Sequence, residues 1–363
     1  MIIEKNVLNM DKYLLYIHIP FCDSKCHYCN FNSYVDKFEL KTTYMDALYK
    51  QLLHDLKHYD IKLGSIESLF IGGGTPTSVD FHLYEPIFKT ITPYLQKGAE
   101  ITSEANPNST TTKWLSGMKS FGVNRISLGV QSFFDDKLKL LGRSHKSKDA
   151  ILAVKKAYDI GFEHISIDLI HSTMLDTPKR VEFEIKQALK LPIDHLSAYE
   201  LTIEKATPFE NSLKIQKESI KQAHIIHEKI SDVGWKQYEV SNYGKSFCYH
   251  NIGYWEYKQY LGIGSGAVGR IKNYRLYPHK VLEEYIKDPL FKSKEELKEH
   301  EIIEEKILLG FRSFVGVACD ILDDNSKRRA ELLTNEKKLY KKNGRYFNTN
   351  YLLSDEVALF IIS

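Results

Sequence analysis

The chain has 363 residues, of which 43% are hydrophobic and 27% charged, a balance typical of a folded globular protein. Its 50 Lys and Arg against 47 Asp and Glu give a net charge of +3, too small to require a polyanionic partner. The first residues mix charged with apolar side chains, unlike a signal peptide, and no run of about eighteen apolar residues could span a bilayer. We therefore expect a cytoplasmic protein whose 5 cysteines are reduced.

Short runs rich in β-branched and aromatic residues alternate with amphipathic stretches from about residue 13 to about residue 202. Helical stretches are recognised by spacings such as Met45, Leu48 and Leu52, which place apolar side chains on one stripe. The alternation predicts an α/β fold, either a partial (β/α)6 barrel or an open, doubly wound sheet. In both arrangements ligands bind at the carboxyl ends of the strands. We predict strands near 14–20, 66–71, 100–105, 125–130, 164–170 and 195–201.

Beyond residue 202 the regular alternation stops. We predict a long helix at 215–233, a strand at 237–243, and a helix opened by a capping box of Ser293 with Glu296 that runs through Ile302 and Leu308. An Asn343-Gly344 hairpin signal and a final apolar stretch suggest a smaller α+β, winged-helix-like module. We therefore place a core domain at 8–240 and a C-terminal domain at 241–363.

Three cysteines, Cys22, Cys26 and Cys29, lie within eight residues directly after the first predicted strand. Thiolates are the preferred ligands of iron–sulfur clusters, and three of them leave one iron of a [4Fe-4S] cluster open to another ligand. Zinc is the nearest alternative, with His18 or His27 as a fourth ligand, although zinc sites usually draw their ligands as two separated pairs. The spacing favours the cluster.

The CxxxCxxC spacing resembles the signature of the radical SAM superfamily, in which the open iron binds the amino and carboxylate groups of S-adenosylmethionine (SAM). The segment Gly72-Gly73-Gly74-Thr75-Pro76 is similar to the Gly-rich segment that receives the SAM amino group there. Glycines suit that role because they let the backbone approach a ligand closely. The resemblance implies a partial (β/α)6 TIM-like radical SAM barrel at 8–240.

Further segments resemble the oxygen-independent coproporphyrinogen oxidases and their relatives, the HemW haem chaperones, and imply a C-terminal domain of the oxidase type. The segments begin at Tyr16, Ser103, Asn124, Leu141 and Ile167. By this resemblance Tyr16, Tyr28, Gly73 and Glu104 would contact the cluster-bound SAM. Residues around a second SAM in the oxidase are matched here by Gly74, Thr75, Gln131, Arg143 and Asp168.

Two features separate the oxidases from the chaperones. The oxidase signature has a further Cys where this chain has Phe31, and the oxidase has a long N-terminal arm where only twenty-one residues precede Cys22 here. The segment from Cys248 through His250 to Trp255 fits the HNxxYW motif of the family, and His or Cys can serve as an axial haem ligand. Two parts of the chain depart from the family pattern. After Asp168 the family usually has a Gly-Leu-Pro turn, where this chain has Ser172-Thr173-Met174, and Val268 stands in place of a histidine.

The resemblance implies a haem-binding SAM and iron–sulfur protein that delivers haem to apoproteins. The alternative is an oxidase that removes the propionate carboxyl groups of coproporphyrinogen III. A third possibility is nucleic-acid binding by the basic tail, but such residues more often form a solvated surface. The tail residues concerned are Lys327, Arg328, Arg329, Lys337, Lys338, Lys341, Lys342 and Arg345.

Overall fold

Six parallel strands in sequential order form the centre of the computed structural model, which describes residues 11–217 and 220–363. Each strand pairs with the next along the chain, so the six predicted strands are confirmed. Their bounds are β1 (Tyr13–Ile19), β2 (Ile66–Gly73), β3 (Leu95–Ala105), β4 (Arg125–Gln131), β5 (His164–His171) and β6 (His195–Glu200).

Helices connect these strands and share one core with them. Right-handed crossovers between sequential parallel strands place the helices on one face of the sheet. Leu15, Ile17 and Ile19 of β1 are buried in that core, whereas Tyr16 and His18 alternate with them and point to the other face. The order of these six strands never reverses, so they form the predicted partial barrel and not the doubly wound alternative. The helices are α1 (Lys41–His58), α2 (Glu85–Ile91), α3 (Thr112–Ser120), α4 (Asp135–Leu140), α5 (Ser147–Ile160), α6 (Pro178–Ala188) and α7 (Ile220–Ser231).

The sheet continues beyond β1 and β6 to a total of 12 strands among the described residues. The predicted strand at 237–243 is wrong, because the chain turns between two short strands and the Glu239 carboxylate accepts the Ser241 N–H at 2.9 Å. The long helix predicted at 215–233 is shorter than expected, and positions 218 and 219 lie outside the described residues. The added strands are β7 (Lys236–Gln237), β8 (Asn242–Gly244), β9 (Gln259–Ile263), β10 (Gly269–Ile271), β11 (Tyr274–Pro278) and β12 (Lys292–Glu296).

Helix α8 (Tyr249–Trp255) lies on the inner face of the barrel, against β2. Its first backbone N–H groups, those of Tyr249 and His250, each donate to the Glu100 carboxylate of β3 at 3.0 Å. A carboxylate is stabilising there because the N-terminal N–H groups of a helix have no partners within the helix. This contact fixes α8 inside the barrel, below the carboxyl ends of the strands. Helix α9 (Leu282–Lys287) instead packs against α1 on the outer face.

The last part of the chain has its own core, formed by residues between Ile307 and Ile361. The predicted capping box is wrong, because Ser293 lies in strand β12, where it pairs with Tyr277 of β11. The helix begins only after Lys298, whose N–H donates to the Glu301 carboxylate at 2.7 Å. The elements are α10 (Glu299–Phe311), β13 (Val317–Ala318), α11 (Asp324–Asn335), β14 (Leu339–Lys342), β15 (Arg345–Asn348) and α12 (Ser354–Ile362).

The β14–β15 turn confirms the hairpin signal, since Asn343 and Gly344 have φ of 50° and 71°. Helices around a three-stranded antiparallel sheet give the predicted winged-helix-like arrangement. The domain division at residue 240 stays a prediction, and its first residue, 8, lies outside the described residues. The main sheet itself extends to Glu296. No helix in the described ranges is long and apolar enough to cross a membrane.

Candidate functional site

The three signature cysteines lie in the loop between β1 and α1, at the carboxyl end of the barrel. Backbone hydrogen bonds hold this loop to its surroundings, from Cys22 N–H to the Tyr34 carbonyl at 3.0 Å and from His27 N–H to the Leu141 carbonyl at 3.1 Å. All three thiols line one cavity of about 470 Å³. The loop therefore presents Cys22, Cys26 and Cys29 to a common space, as a shared ligand requires.

The side chains of Thr75 and Arg143 donate hydrogen bonds to the cysteine sulfurs. Thr75 Oγ1 lies 3.5 Å from Cys22 Sγ, and Arg143 Nη1 lies 3.3 Å from Cys26 Sγ. Burial raises the pKa of the Cys22 thiol, so thiolates there need a compensating cation or metal. Donors and a guanidinium beside three thiols fit an iron–sulfur cluster, whose sulfurs accept hydrogen bonds from the protein.

The histidines available for a zinc site are already engaged. Nε2 of His18 lies 2.8 Å from the Asn32 carbonyl and its Nδ1 lies 2.9 Å from Tyr16 OH, while Nδ1 of His27 lies 2.9 Å from the Leu140 carbonyl. Across the described residues, no group of three or more His, Cys, Asp or Glu side chains is arranged to hold a single metal ion. A Cys3His zinc site would need His18 to give up one of these bonds or would have to use Nε2 of His27.

The Gly-rich segment passes through a narrow space between β1 and β3. Gly73 has φ of 108°, and a Cβ at this position would collide with the ring of His18. A Cβ on Gly74 would lie 2.8 Å from the Phe21 carbonyl oxygen. The Gly73 N–H donates to Oε2 of Glu104 at 3.0 Å. The glycines are therefore required by the close approach of the backbone to its neighbours, beside the cysteine loop.

A polar network extends from the cysteine loop across the strand ends. Arg143 Nη2 donates to Asn106 Oδ1 at 2.7 Å and to the Gly129 carbonyl at 2.8 Å, and Asn106 Nδ2 donates to Thr75 Oγ1 at 2.9 Å. Asn106 was not singled out from the sequence, although it lies two residues after Glu104 in the segment that begins at Ser103. Gln131 lines the same cavity with a left-handed backbone, φ 65°, at the end of β4.

Two partly buried carboxyl groups, those of Glu104 and Asp168, line the cysteine-lined cavity at this end of the barrel. Burial raises the pKa of Glu104 to about 8, and the nearby charge of Asp168 adds to the shift. Burial also raises the pKa of Asp168 to about 6, against hydrogen bonds such as that from Ser127 Oγ at 3.4 Å. Near neutral pH the pair therefore carries less than two full negative charges.

A second cavity, of about 660 Å³, adjoins the first and shares Glu104 and Tyr199 with it. Two predicted site residues, Tyr16 and His250, line this cavity and not the cysteine-lined one. The predicted residues therefore divide between two neighbouring cavities. The cysteine-lined cavity includes Cys22, Cys26, Tyr28, Cys29, Gly73, Gly74, Thr75, Glu104, Gln131, Arg143 and Asp168.

His250 lies at the wall of the second cavity with both ring nitrogens engaged. Nδ1 is 2.8 Å from Ser68 Oγ and Nε2 is 3.0 Å from Tyr254 OH, and the residue is 1% exposed. Burial lowers the pKa of its imidazole to about 3, so the ring is neutral. Cys248 points elsewhere, with Sγ 3.5 Å from Glu100 Oε1, and burial raises its pKa to about 12.

Other residues of this wall come from segments that no local sequence pattern brings together. Arg270 and Arg275 approach from β10 and β11, and Glu305, Leu308 and Leu309 come from α10. The spacing of Glu305, Leu308 and Leu309 could have indicated that they share one face of α10, but not that this face lines a cavity. Val268, where the family pattern has a histidine, also lines this cavity.

The model of the radical SAM superfamily matches residues 16–183 of the chain. Among solved structures, coproporphyrinogen III oxidase (HemN) from Escherichia coli superposes with a TM-score of 0.80 at 20% identity. The superposition covers 99% of this chain and 92% of the oxidase. At that identity the likeness supports the fold alone.

Several curated relatives are similar over most of the chain. The haem chaperone HemW of Bacillus subtilis is 36% identical over 322 residues, which cover 84% of both chains. HemW of Haemophilus influenzae is 37% identical over 267 residues, covering 71% of this chain and 70% of that one. The mitochondrial radical S-adenosyl methionine domain-containing protein 1 of Mus musculus is 35% identical over 274 residues, covering 70% and 60%. The chain therefore belongs to the HemW family of the radical SAM superfamily.

Proposed function

We propose that this chain binds haem and transfers it to acceptor proteins, and that its cysteine loop carries a [4Fe-4S] cluster that binds SAM. The similar HemW proteins are named haem chaperones, which supports the first half of the proposal. Its partners would then be haem, SAM and haem-accepting apoproteins.

The observation that carries the haem proposal is the second cavity. Its volume of about 660 Å³ falls in the range of cofactor sites, and its wall combines aromatic and aliphatic side chains with two arginines. A porphyrin presents flat apolar faces and two carboxylate side chains, so it matches both parts of such a wall. The apolar part of the wall comprises Tyr16, Phe70, Tyr254, Tyr260, Val268, Leu308 and Leu309.

His250 is our proposed axial ligand, because it is the histidine on this wall and its ring is neutral. Iron binding through Nε2 would replace the contact with Tyr254 OH, while Nδ1 keeps its contact with Ser68 Oγ. A hydrogen bond on the other nitrogen is the usual way in which a ligating imidazole is oriented.

At the carboxyl ends of the strands, Cys22, Cys26 and Cys29 would hold the cluster, which supplies the electron for SAM cleavage in this class of protein. We propose that Tyr28, Gly73 and Glu104 surround the cluster-bound SAM, whereas Tyr16, which the resemblance places there, lines the second cavity. Gly74, Thr75, Gln131, Arg143 and Asp168 would form the neighbouring polar surface. Because Glu104 and Tyr199 belong to both cavities, haem and SAM would lie next to each other.

The coproporphyrinogen oxidase alternative has the fold in its favour but a sequence difference against it. Phe31 occupies the position of the additional oxidase cysteine, and it is 62% exposed at the edge of the cysteine-lined cavity.

The contacts of the basic residues in the C-terminal tail support a solvated surface and not a nucleic-acid site. Lys341 pairs with Glu331 at 3.1 Å, and Arg345 donates to the Val315 carbonyl at 2.9 Å.

Anaerobically reconstituted protein tests this proposal when haem and coproporphyrinogen III are supplied in separate assays. We expect a Soret band that saturates with added haem, and no conversion of coproporphyrinogen in the presence of SAM and an electron donor. Absence of haem binding together with accumulation of protoporphyrin would establish the oxidase alternative instead.

A further inference from the structure

One ion pair joins the main sheet to the C-terminal unit at the wall of the second cavity. Arg275, on β11, donates through Nη2 to Oε1 of Glu305, on α10. Tyr257 OH donates to the other carboxylate oxygen of Glu305 at 2.6 Å. All three side chains line the cavity, so this carboxylate is held at the boundary between the space and the helix that closes it.

The two arginines of the wall differ in their partners. Arg270 stacks over the Tyr257 ring, with Cζ 3.9 Å from the ring centre, and donates to the backbone carbonyls of Lys272, at 3.0 Å, and Tyr257. Arg275 instead binds carboxylates, Glu305 on the cavity side and Glu295 at 3.2 Å on the side away from it. On the cavity side, Arg275 therefore binds a carboxylate, which is also the charged group of a porphyrin propionate.

We propose that Arg275 receives a propionate carboxylate of the tetrapyrrole, and that Glu305 occupies this position while the cavity is empty. This inference rests on the proposed haem binding. It adds that Arg275 recognises the ligand and that the contact between Arg275 and Glu305 must open. Exchange of one carboxylate for another keeps the guanidinium paired, so entry of the ligand leaves no partly buried cation without a partner.

The exchange has a mechanical consequence for α10. Glu305, Leu308 and Leu309 are spaced three and four residues apart and share one face of the helix, which forms part of the cavity wall. Release of Glu305 removes the ion pair that fastens this face to β11. Haem loading would therefore loosen the middle of α10, on the side of the cavity from which haem would be passed to an acceptor.

Protoporphyrin IX and its dimethyl ester are suitable probes, since both lack iron and only the former carries free carboxylates. Their affinities are measured by fluorescence quenching for the parent chain, Glu305→Gln and Arg275→Gln. Asp355→Asn is the matched control, because it removes a carboxylate 2.6 Å from Arg312 in the same unit but outside the cavity. Hydrogen exchange of the α10 amides, with and without protoporphyrin, reports the opening.

For the free acid we expect affinity to rise severalfold in Glu305→Gln and to fall about tenfold in Arg275→Gln, with no change in the control. The ester should be insensitive to Arg275→Gln, and protoporphyrin should speed α10 exchange in the parent. Equal affinities of the free acid across all variants, with haem still bound by the parent, would overturn this inference alone. Failure of the parent to bind either haem or protoporphyrin would instead overturn the proposed function.

Discussion

The carboxylate of Glu104 accepts the backbone N–H of Gly73 at 3.0 Å and joins the end of β3 to the Gly-rich segment. Burial raises the pKa of Glu104 to about 8 in the folded chain, from an ordinary value near 4.5. A raised pKa means that the folded state holds the proton more tightly than the unfolded state. The stabilisation is therefore fully present below about pH 4.5 and is lost as pH rises through about 8.

We predict that Glu104→Gln removes this loss, because the amide oxygen can still accept the Gly73 N–H but never ionises. The variant should exceed the parent in stability by about 2 kcal/mol at pH 9 and match it at low pH. Thermal unfolding between pH 4 and pH 9, at one fixed cluster content, measures the difference. A parallel pH dependence in parent and variant would show that Glu104 is not the responsible group.

Replacement of Cys22, Cys26 or Cys29 by Ala should abolish the cluster, since two remaining thiolates cannot hold four irons against solvent and oxidation. Cys248 and Cys319 should be dispensable, because neither lines the cysteine-lined cavity. Iron and sulfide analysis of each reconstituted variant makes the comparison. Full cluster content in any of the first three variants would contradict the assignment.

His250→Ala should shift the Soret band and weaken haem affinity if the imidazole binds iron. It should also cost about 3 kcal/mol of stability, because Ser68 Oγ and Tyr254 OH each lose a buried hydrogen-bond partner. Haem titration, urea unfolding and circular dichroism separate the two effects.

The double variant Cys248→Ala with His250→Ala should have the same haem spectrum as His250→Ala, because Cys248 faces Glu100 and does not line the second cavity. Cys248→Ala alone is the control. A Soret position that is unchanged in His250→Ala but altered in the double variant would show that the thiolate reaches the iron. A parent-like spectrum and affinity in both variants would exclude His250 as the ligand.

Local patterns were sufficient for the six strands and for the cysteine loop, and the family resemblance was needed to choose the barrel over a doubly wound sheet. Runs rich in β-branched and aromatic residues marked the six strands, and the spacing of the three cysteines within eight residues brings them to one cavity. The second cavity depends on contacts that no local pattern contains. His250 meets Ser68 across 182 positions, and Arg275 meets Glu305 across 30.

Local sequence patterns also gave wrong or incomplete predictions for residues whose role depends on tertiary contacts. Ser293 and Glu296 have the spacing of a capping box, but strand pairing with β11 holds both in β12. Glu100 looked like the start of a strand, and its carboxylate also caps a helix that begins 149 positions later. Pairing across the sheet outweighs a capping preference because several backbone hydrogen bonds form together.

Haem binding in the second cavity is tested most simply by haem titration of the parent and of Leu309→Trp, in which an indole fills part of that cavity. Leu352→Trp is the matched control, since Leu352 is 45% exposed and does not line the cavity. Binding is followed by Soret absorbance, and circular dichroism confirms that each variant is folded. We predict that the parent and Leu352→Trp bind haem equally, and that Leu309→Trp binds at least about tenfold more weakly. Parent-like haem binding by Leu309→Trp would show that haem does not occupy the second cavity, and absence of binding by the parent would show that the chain does not bind haem.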